Sequence, residues 1–182
     1  MHGEERANKP GRGGYALIEL TVALLVITVS IGAISMSMMS TSSLSRSNEE
    51  RTRAIAAALS VLESIRSEDP GEVFARFNRV TSDDPASGVS PGSFFSVGDL
   101  EPRRGDADGF VGEVQFPGDG VVLREDVLDV ELGVPRDLNS DGEVDGDDRS
   151  TDYTVLPVRI RVEWTGVCGG QKVDLYSMIG RL

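Results

Sequence analysis

Between Leu20 and Ser45 there is no charged residue, and the most apolar part of this stretch, Leu20–Met39, runs for 20 residues. As a helix this run is about 30 Å long, the thickness of a bilayer's hydrocarbon core. The pattern predicts a membrane-spanning helix over about 15–40. After Ser45 charges return and the pattern becomes amphipathic. In "RTRAIAAALSVLESIRSEDP" Ile55, Leu59, Leu62 and Ile65 recur at helical spacing, with Arg66 at the edge of the stripe. Ala54, Ala56, Ala57 and Ala58 are strong helix formers, and Pro70-Gly71 stops the helix. One helix over residues 15–67 is expected, apolar all round in its first half and packed on a head in its second. "EVFARFNRV" predicts a further turn or two of helix, with Phe74 and Phe77 in the core.

Beyond residue 80 the period changes. Residues 81–109 are rich in Ser, Asp, Gly and Pro and read as loop. "VGEVQF" and "VVLREDV" flank "PGDG", which suggests a hairpin. In "VLPVRIRVEW" Val158, Ile160, Val162 and Trp164 share one face, while Arg159, Arg161 and Glu163 share the other. That alternation predicts a half-buried strand, with Pro157 at its start or on an edge. "TGVCGG" turns the backbone. "QKVDLYSMI" returns as a second strand, with Val173 and Leu175 facing the core. The whole is an α+β protein: a long N-terminal helix and, over about 68–182, a head built on a small antiparallel sheet.

Composition narrows the function. There are 30 acidic and 18 basic residues, a net charge of −12. A nucleic-acid binder needs a basic face, so that partner is disfavoured. Cys168 is the only cysteine and His2 the only histidine. An internal disulfide framework and a Cys-rich zinc site are therefore excluded. If the N-terminus is removed, no histidine remains as general base or metal ligand. Serine triads, Cys-His dyads and His-zinc sites then lose their central residue, and no enzymatic activity is expected.

The N-terminus has its own signal. Residues 1–14 are polar, contain Arg6, Lys9 and Arg12, and end in Gly13-Gly14. A secretory signal peptide places its cleavage site after the apolar stretch. Here the candidate cleavage site precedes it, so a cut after Gly14 leaves the apolar helix on the mature protein. Three basic residues precede the segment and three, Arg46, Arg51 and Arg53, follow it, so the positive-inside rule gives no orientation.

The stretch "GYALIELTVALLVITVSIGAI" resembles the leader junction of type IV pilins and type II secretion pseudopilins. The glycine, the aromatic residue after it and a glutamate fifth in the mature protein match Gly14, Tyr15 and Glu19. Tyr15 stands where the family usually has Phe. The resemblance implies cleavage after Gly14 by a prepilin peptidase and methylation of the Tyr15 amine. It also implies a single-pass inner-membrane protein with an extracytoplasmic head, assembled with other pilin subunits. A new N-terminal amine, with pKa about 7.7 to 8, is largely cationic at neutral pH. Glu19 lies one turn away, where the helix dipole favours a carboxylate. Unpaired at mid-membrane, an ionised carboxylate costs about 2.5 to 3.5 kcal/mol. The resemblance implies that Glu19 pairs with the N-terminal amine of a neighbouring subunit. "AIAAALSVLESIR" and the terminal hairpin further resemble minor subunits of the I-type or V-type.

A second motif lies in the head. "DLNSDGEVDGDD", residues 137–148, follows the EF-hand loop, with oxygen ligands at positions 1, 3, 5, 7, 9 and 12 and glycine at 6. These are Asp137, Asn139, Asp141, the Glu143 carbonyl, Asp145 and Asp148, with Gly142 at the turn. Val144 suits the apolar position 8. Asp at position 12 resembles the dockerin variant of the loop. Residues 125–148 hold ten acidic residues against one basic, Arg136. Folding them compactly calls for a cation. One loop, followed by strand-like sequence, reads as a structural Ca²⁺ site leading into the terminal hairpin. Two functions follow: a structural subunit (minor pilin or pseudopilin) of a type II secretion pseudopilus or type IV pilus, or a filament-tip subunit that recognises a protein or glycan.

Overall fold

The computed structural model describes residues 13–106 and 108–181. Residues 1–12, with His2, Arg6, Lys9 and Arg12, lie outside the described residues. The elements run α1 (Gly13–Ser67), α2 (Val73–Phe77), β1 (Phe94–Phe95), β2 (Gly112–Gln115), β3 (Val155–Gly166) and β4 (Gly169–Gly180). The four strands form one antiparallel sheet in the order β1-β2-β3-β4. The fold is α+β with a pilin-like architecture.

The protein divides into two compact units between Ser45 and Arg46, where charge re-enters the sequence. The part of α1 in the first unit is exposed along its length and is apolar enough to cross a membrane. Most of the hydroxyls in its apolar run bond back within the helix. Thr21 donates to the Ile18 carbonyl, Thr28 to Leu24, Ser30 to Val26 and Ser35 to Ile31. Such back-bonding lets Ser and Thr sit in a segment where no water would meet them.

Among the described residues, every buried core residue lies in the second unit, residues 46–182. Its helical wall differs from expectation. The buried face of α1 is Ala54, Ala58, Leu62 and Ile65, while Ile55 is only partly buried and Leu59 stays exposed. The stripe shifts by one residue at its start, to Ala54 and Ala58, while Leu62 and Ile65 keep their places. Phe74 and Phe77 are buried as expected. Phe74 packs on Phe116 with ring centroids 5.2 Å apart.

In β3 the alternation holds. Val158, Ile160, Val162 and Trp164 are buried on the core side. β3 pairs with β4 over twelve residues, from Val155↔Gly180 to Gly166↔Gly169, around the Val167-Cys168 turn. Pro157 lies beyond the end of the β2–β3 register, Gln115↔Arg159, so its missing N–H breaks no ladder there. Val173 and Ile179 of β4 are buried, with Leu175 packed against the core.

Two local expectations fail. β2 does not form a hairpin with residues 121–127; that turn closes only with an isolated Gly118↔Leu123 bridge. β2 instead lies between β1 and β3. The segment 81–109 is not wholly loop either, since Phe94 and Phe95 add a short edge strand.

Candidate functional site

The loop 137–148 is folded by its own side chains. The Asp137 carboxylate accepts from the Ser140 and Gly142 N–H groups. Asn139 Oδ1 accepts from Asp141 N at 3.1 Å, Asp141 Oδ1 from Glu143 N at 2.9 Å, and Asp145 Oδ1 from Asp147 N at 2.9 Å. Short acidic and amide side chains favour these turns because they reach the backbone two residues on. Gly142 has φ +90°, a left-handed conformation that makes glycine the natural residue at the sixth position.

The structure brings two of the six candidate ligands, Asp141 and Asp145, onto one guanidinium. Arg149 Nη2 lies 2.7 Å from Asp145 Oδ2 and 3.3 Å from Asp141 Oδ2. Its Nη1 is 3.5 Å from Asp152, and its Nε is 3.5 Å from Glu125. Asn139 joins this group by donating to Asp141 and Asp152, and Asp137 holds the loop's opening turn. Glu143 is exposed and offers only its carbonyl to the pattern. Asp148 turns elsewhere: Oδ1 accepts from Leu123 N at 3.1 Å and Ser150 N at 3.0 Å. Among the described residues no three His, Cys, Asp or Glu side chains form a metal-holding group.

The donors themselves fit a hard cation. They are all oxygens, at the sequence spacing that a Ca²⁺ loop uses. The positive charge that the acidic segment calls for is met in this structure by Arg149, one residue past the motif. The Asn139 amide, and then the Glu143 N–H and Arg149, hold the Asp141 carboxyl below the usual range. Burial works against the Arg149 charge, but Asp145, Glu125, Asp141 and Asp152 together raise its pKa.

Sequence reasoning missed Arg149, Glu125 and Asp152. Glu125 is fully buried. Its carboxylate accepts from Leu138 N, Asn139 N and Asp145 N, and so clamps both limbs of the loop from beneath. Its place between the apolar residues Leu123 and Val127 was the available signal.

At the N-terminal end, the backbone of Gly14 and Tyr15 lies within α1. Glu19 follows one turn later and is exposed, with no ion pair among the described residues. Searches against protein-family models, curated proteins and solved structures return no match.

Proposed function

We propose that this protein is a structural subunit of a membrane-rooted filament, a minor pilin or pseudopilin of a type IV pilus or a type II secretion pseudopilus. The observation that carries this reading is the single helix α1. Its membrane-grade half bears an exposed Glu19 one turn beyond Gly14-Tyr15, and its other half supplies a wall of the head's core. An exposed carboxylate on such a helix needs a partner. A cleaved and methylated Tyr15 amine on a neighbouring subunit supplies one. In this reading the protein sits in the bacterial inner membrane with an extracytoplasmic head, is processed by prepilin peptidase and works without an active site. Glu19→Ala is expected to leave processing intact and to lower incorporation into sheared filaments at least tenfold. Incorporation equal to wild type would remove the pairing role.

The 137–148 loop is read as a structural Ca²⁺ site within that head. Asp137, Asn139, Asp141, Asp145 and the Glu143 carbonyl would hold the ion, with Asp148 turning inward from Leu123. Ca²⁺ supplies the charge neutralisation, and Arg149 releases Asp141 and Asp145 to it. At calcium about 100-fold above Kd the linkage is worth ~2.7 kcal/mol, a rise of several degrees in Tm. Adding a chelator is expected to reverse that rise. An unchanged Tm together with no calcium binding by calorimetry would refute the site.

A further inference from the structure

One free edge of the sheet is β4, last in the order β1-β2-β3-β4. It is twelve residues long and pairs with β3 without a bulge, whereas an ordinary strand has about five or six residues. Its hydrogen-bonding sides are fixed. Glu163 N and Thr165 N of β3 bond Val111 O and Glu101 O, away from β4. The two sides of an antiparallel strand alternate, so the even positions of β3 and the odd positions of β4 bond each other. The N–H and C=O groups at the even positions of β4, from Gly170 to Gly180, therefore point out of the sheet. No other backbone group among the described residues bonds them.

An open edge invites a further strand, and proteins guard against it with prolines, bulges or charged side chains. β4 has no proline, and from Tyr176 to Gly180 it has no charge. Tyr176 and Met178 are instead 40% and 45% exposed, and Val130 is 81% exposed. With Leu132 these three side chains line a shallow hollow. Each edge side chain also sits with a charge of its own. Tyr176 donates to Glu131, and Arg136 Nη1 lies 3.1 Å from Met178 Sδ. No ion pair among the described residues reaches Arg136.

We propose that a second copy of this protein pairs with β4, antiparallel and centred on Ser177. A two-fold axis there sets Tyr176 opposite the second copy's Met178, and Asp174 opposite its Gly180. All four are outward-pointing positions, so each pair exchanges backbone hydrogen bonds, which give strand addition its affinity. Tyr176 and Met178 cover each other on both sides of the axis. The charges choose the register. Glu131 on Tyr176 comes to Arg136 on the second copy's Met178. Centred on Tyr176, the pairing would set Glu131 against its own copy; centred on Met178, it would do the same to Arg136. Centred on Leu175, it would set Glu131 beside Asp174. A pairing centred on Val173 opposes Lys172 and Asp174, but Asp174 is already held by Lys172 and Arg161 of its own chain, and Met178 and Arg136 stay uncovered. The net charge of −12 opposes association, yet charges more than about 8 Å apart are largely screened at physiological salt, so the contact pairs decide. The interface is isologous and closes at two copies. It is distinct from the contacts that extend a filament and does not depend on processing at Gly14.

The test uses the full-length protein in detergent micelles. Cys168, exposed in the β3–β4 turn, is first replaced by serine. Ser177→Cys then puts two thiols on the axis, at a pair whose Cα atoms lie about 4.5 Å apart, within reach of a disulfide. Position 172 and its copy would lie about 34 Å apart along the strands. Mild oxidation should therefore link Ser177→Cys into dimers at least about tenfold faster than Lys172→Cys. Charge reversal gives a second readout, by sedimentation. Glu131 and Arg136 are both exposed, so Glu131→Arg and Arg136→Glu should leave Tm unchanged. Each should weaken the dimer at least about tenfold. Mixed one to one, the two variants restore unlike pairs on both sides of the axis and should dimerise as wild type does. A dimer indifferent to both reversals would be held by its membrane helices and would overturn the proposal. Absence of a dimer, equal linking at positions 172 and 177, or a mixture no tighter than either variant alone would overturn it as well.

Discussion

Replacing Glu125 by alanine is expected to destabilise the 46–182 unit by about 3–5 kcal/mol, the range for breaking a buried ion pair from one side. Glu125 is fully buried and meets Leu138 N, Asn139 N, Asp145 N and Arg149. Removing the carboxylate strands three backbone donors and weakens the hold on Arg149, whose side chain is 12% exposed. For a unit of this size each kcal/mol shifts Tm by about 3 °C, so thermal unfolding should begin some 10–15 °C earlier. Glu125→Gln keeps the volume and one acceptor oxygen and should lose about half as much. A Glu125→Ala protein melting within about 2 °C of wild type would show that the clamp contributes little.

The second large effect is expected at Trp164. Its side chain is 1% exposed and its Nε1 donates to Glu50 Oε2 at 3.2 Å, joining β3 to α1. Trp164→Ala removes the largest buried side chain and should cost about 3–5 kcal/mol. Trp164→Phe keeps most of the packing and loses the hydrogen bond, for about 1–1.5 kcal/mol. Hydrogen exchange separates the two. The alanine variant should lose protection along α1 from Arg46 to Ser67, and the phenylalanine variant should lose it only near Glu50. Protection unchanged in Trp164→Ala would mean that the helix is held to the head by other contacts.

The sequence made plain what depends on local period. The end of α1 at Ser67 follows from Pro70-Gly71 three residues on, and the core face of β3 follows from strict alternation. The β3–β4 hairpin follows from two glycine-bounded runs around a short turn. Features that depend on distant partners were hidden. β2 chooses β3, more than forty residues later, over its neighbour across "PGDG". Nothing in "VGEVQF" records that choice. The two-residue strand Phe94–Phe95 is too short to show a period. The buried stripe of α1 misled for a different reason. Hydrophobicity alone favours Ile55 and Leu59, but the face that tertiary packing buries carries Ala54 and Ala58.

The candidate site divides in the same way. The loop's turns and the conformation of Gly142 were legible, because each side chain bonds its own neighbourhood. Glu125 and Arg149 were not. One lies twelve residues before the loop and the other one residue past it, and only folding sets Glu125 against the loop's backbone and against Arg149. The acidic segment's demand for positive charge was legible in its composition, while the protein's own contribution to it, Arg149, lay just outside the stretch that holds the motif.

The filament reading rests on processing at Gly14-Tyr15, and the intact mass of the membrane-extracted protein, coexpressed with a prepilin peptidase, tests it most directly. The account predicts a polypeptide that has lost residues 1–14 and gained one methyl group, beginning at Tyr15. A polypeptide that keeps its first 14 residues under those conditions would contradict it. Glu19 would then have no amine to meet, and the protein would be a membrane-anchored head with an acidic loop.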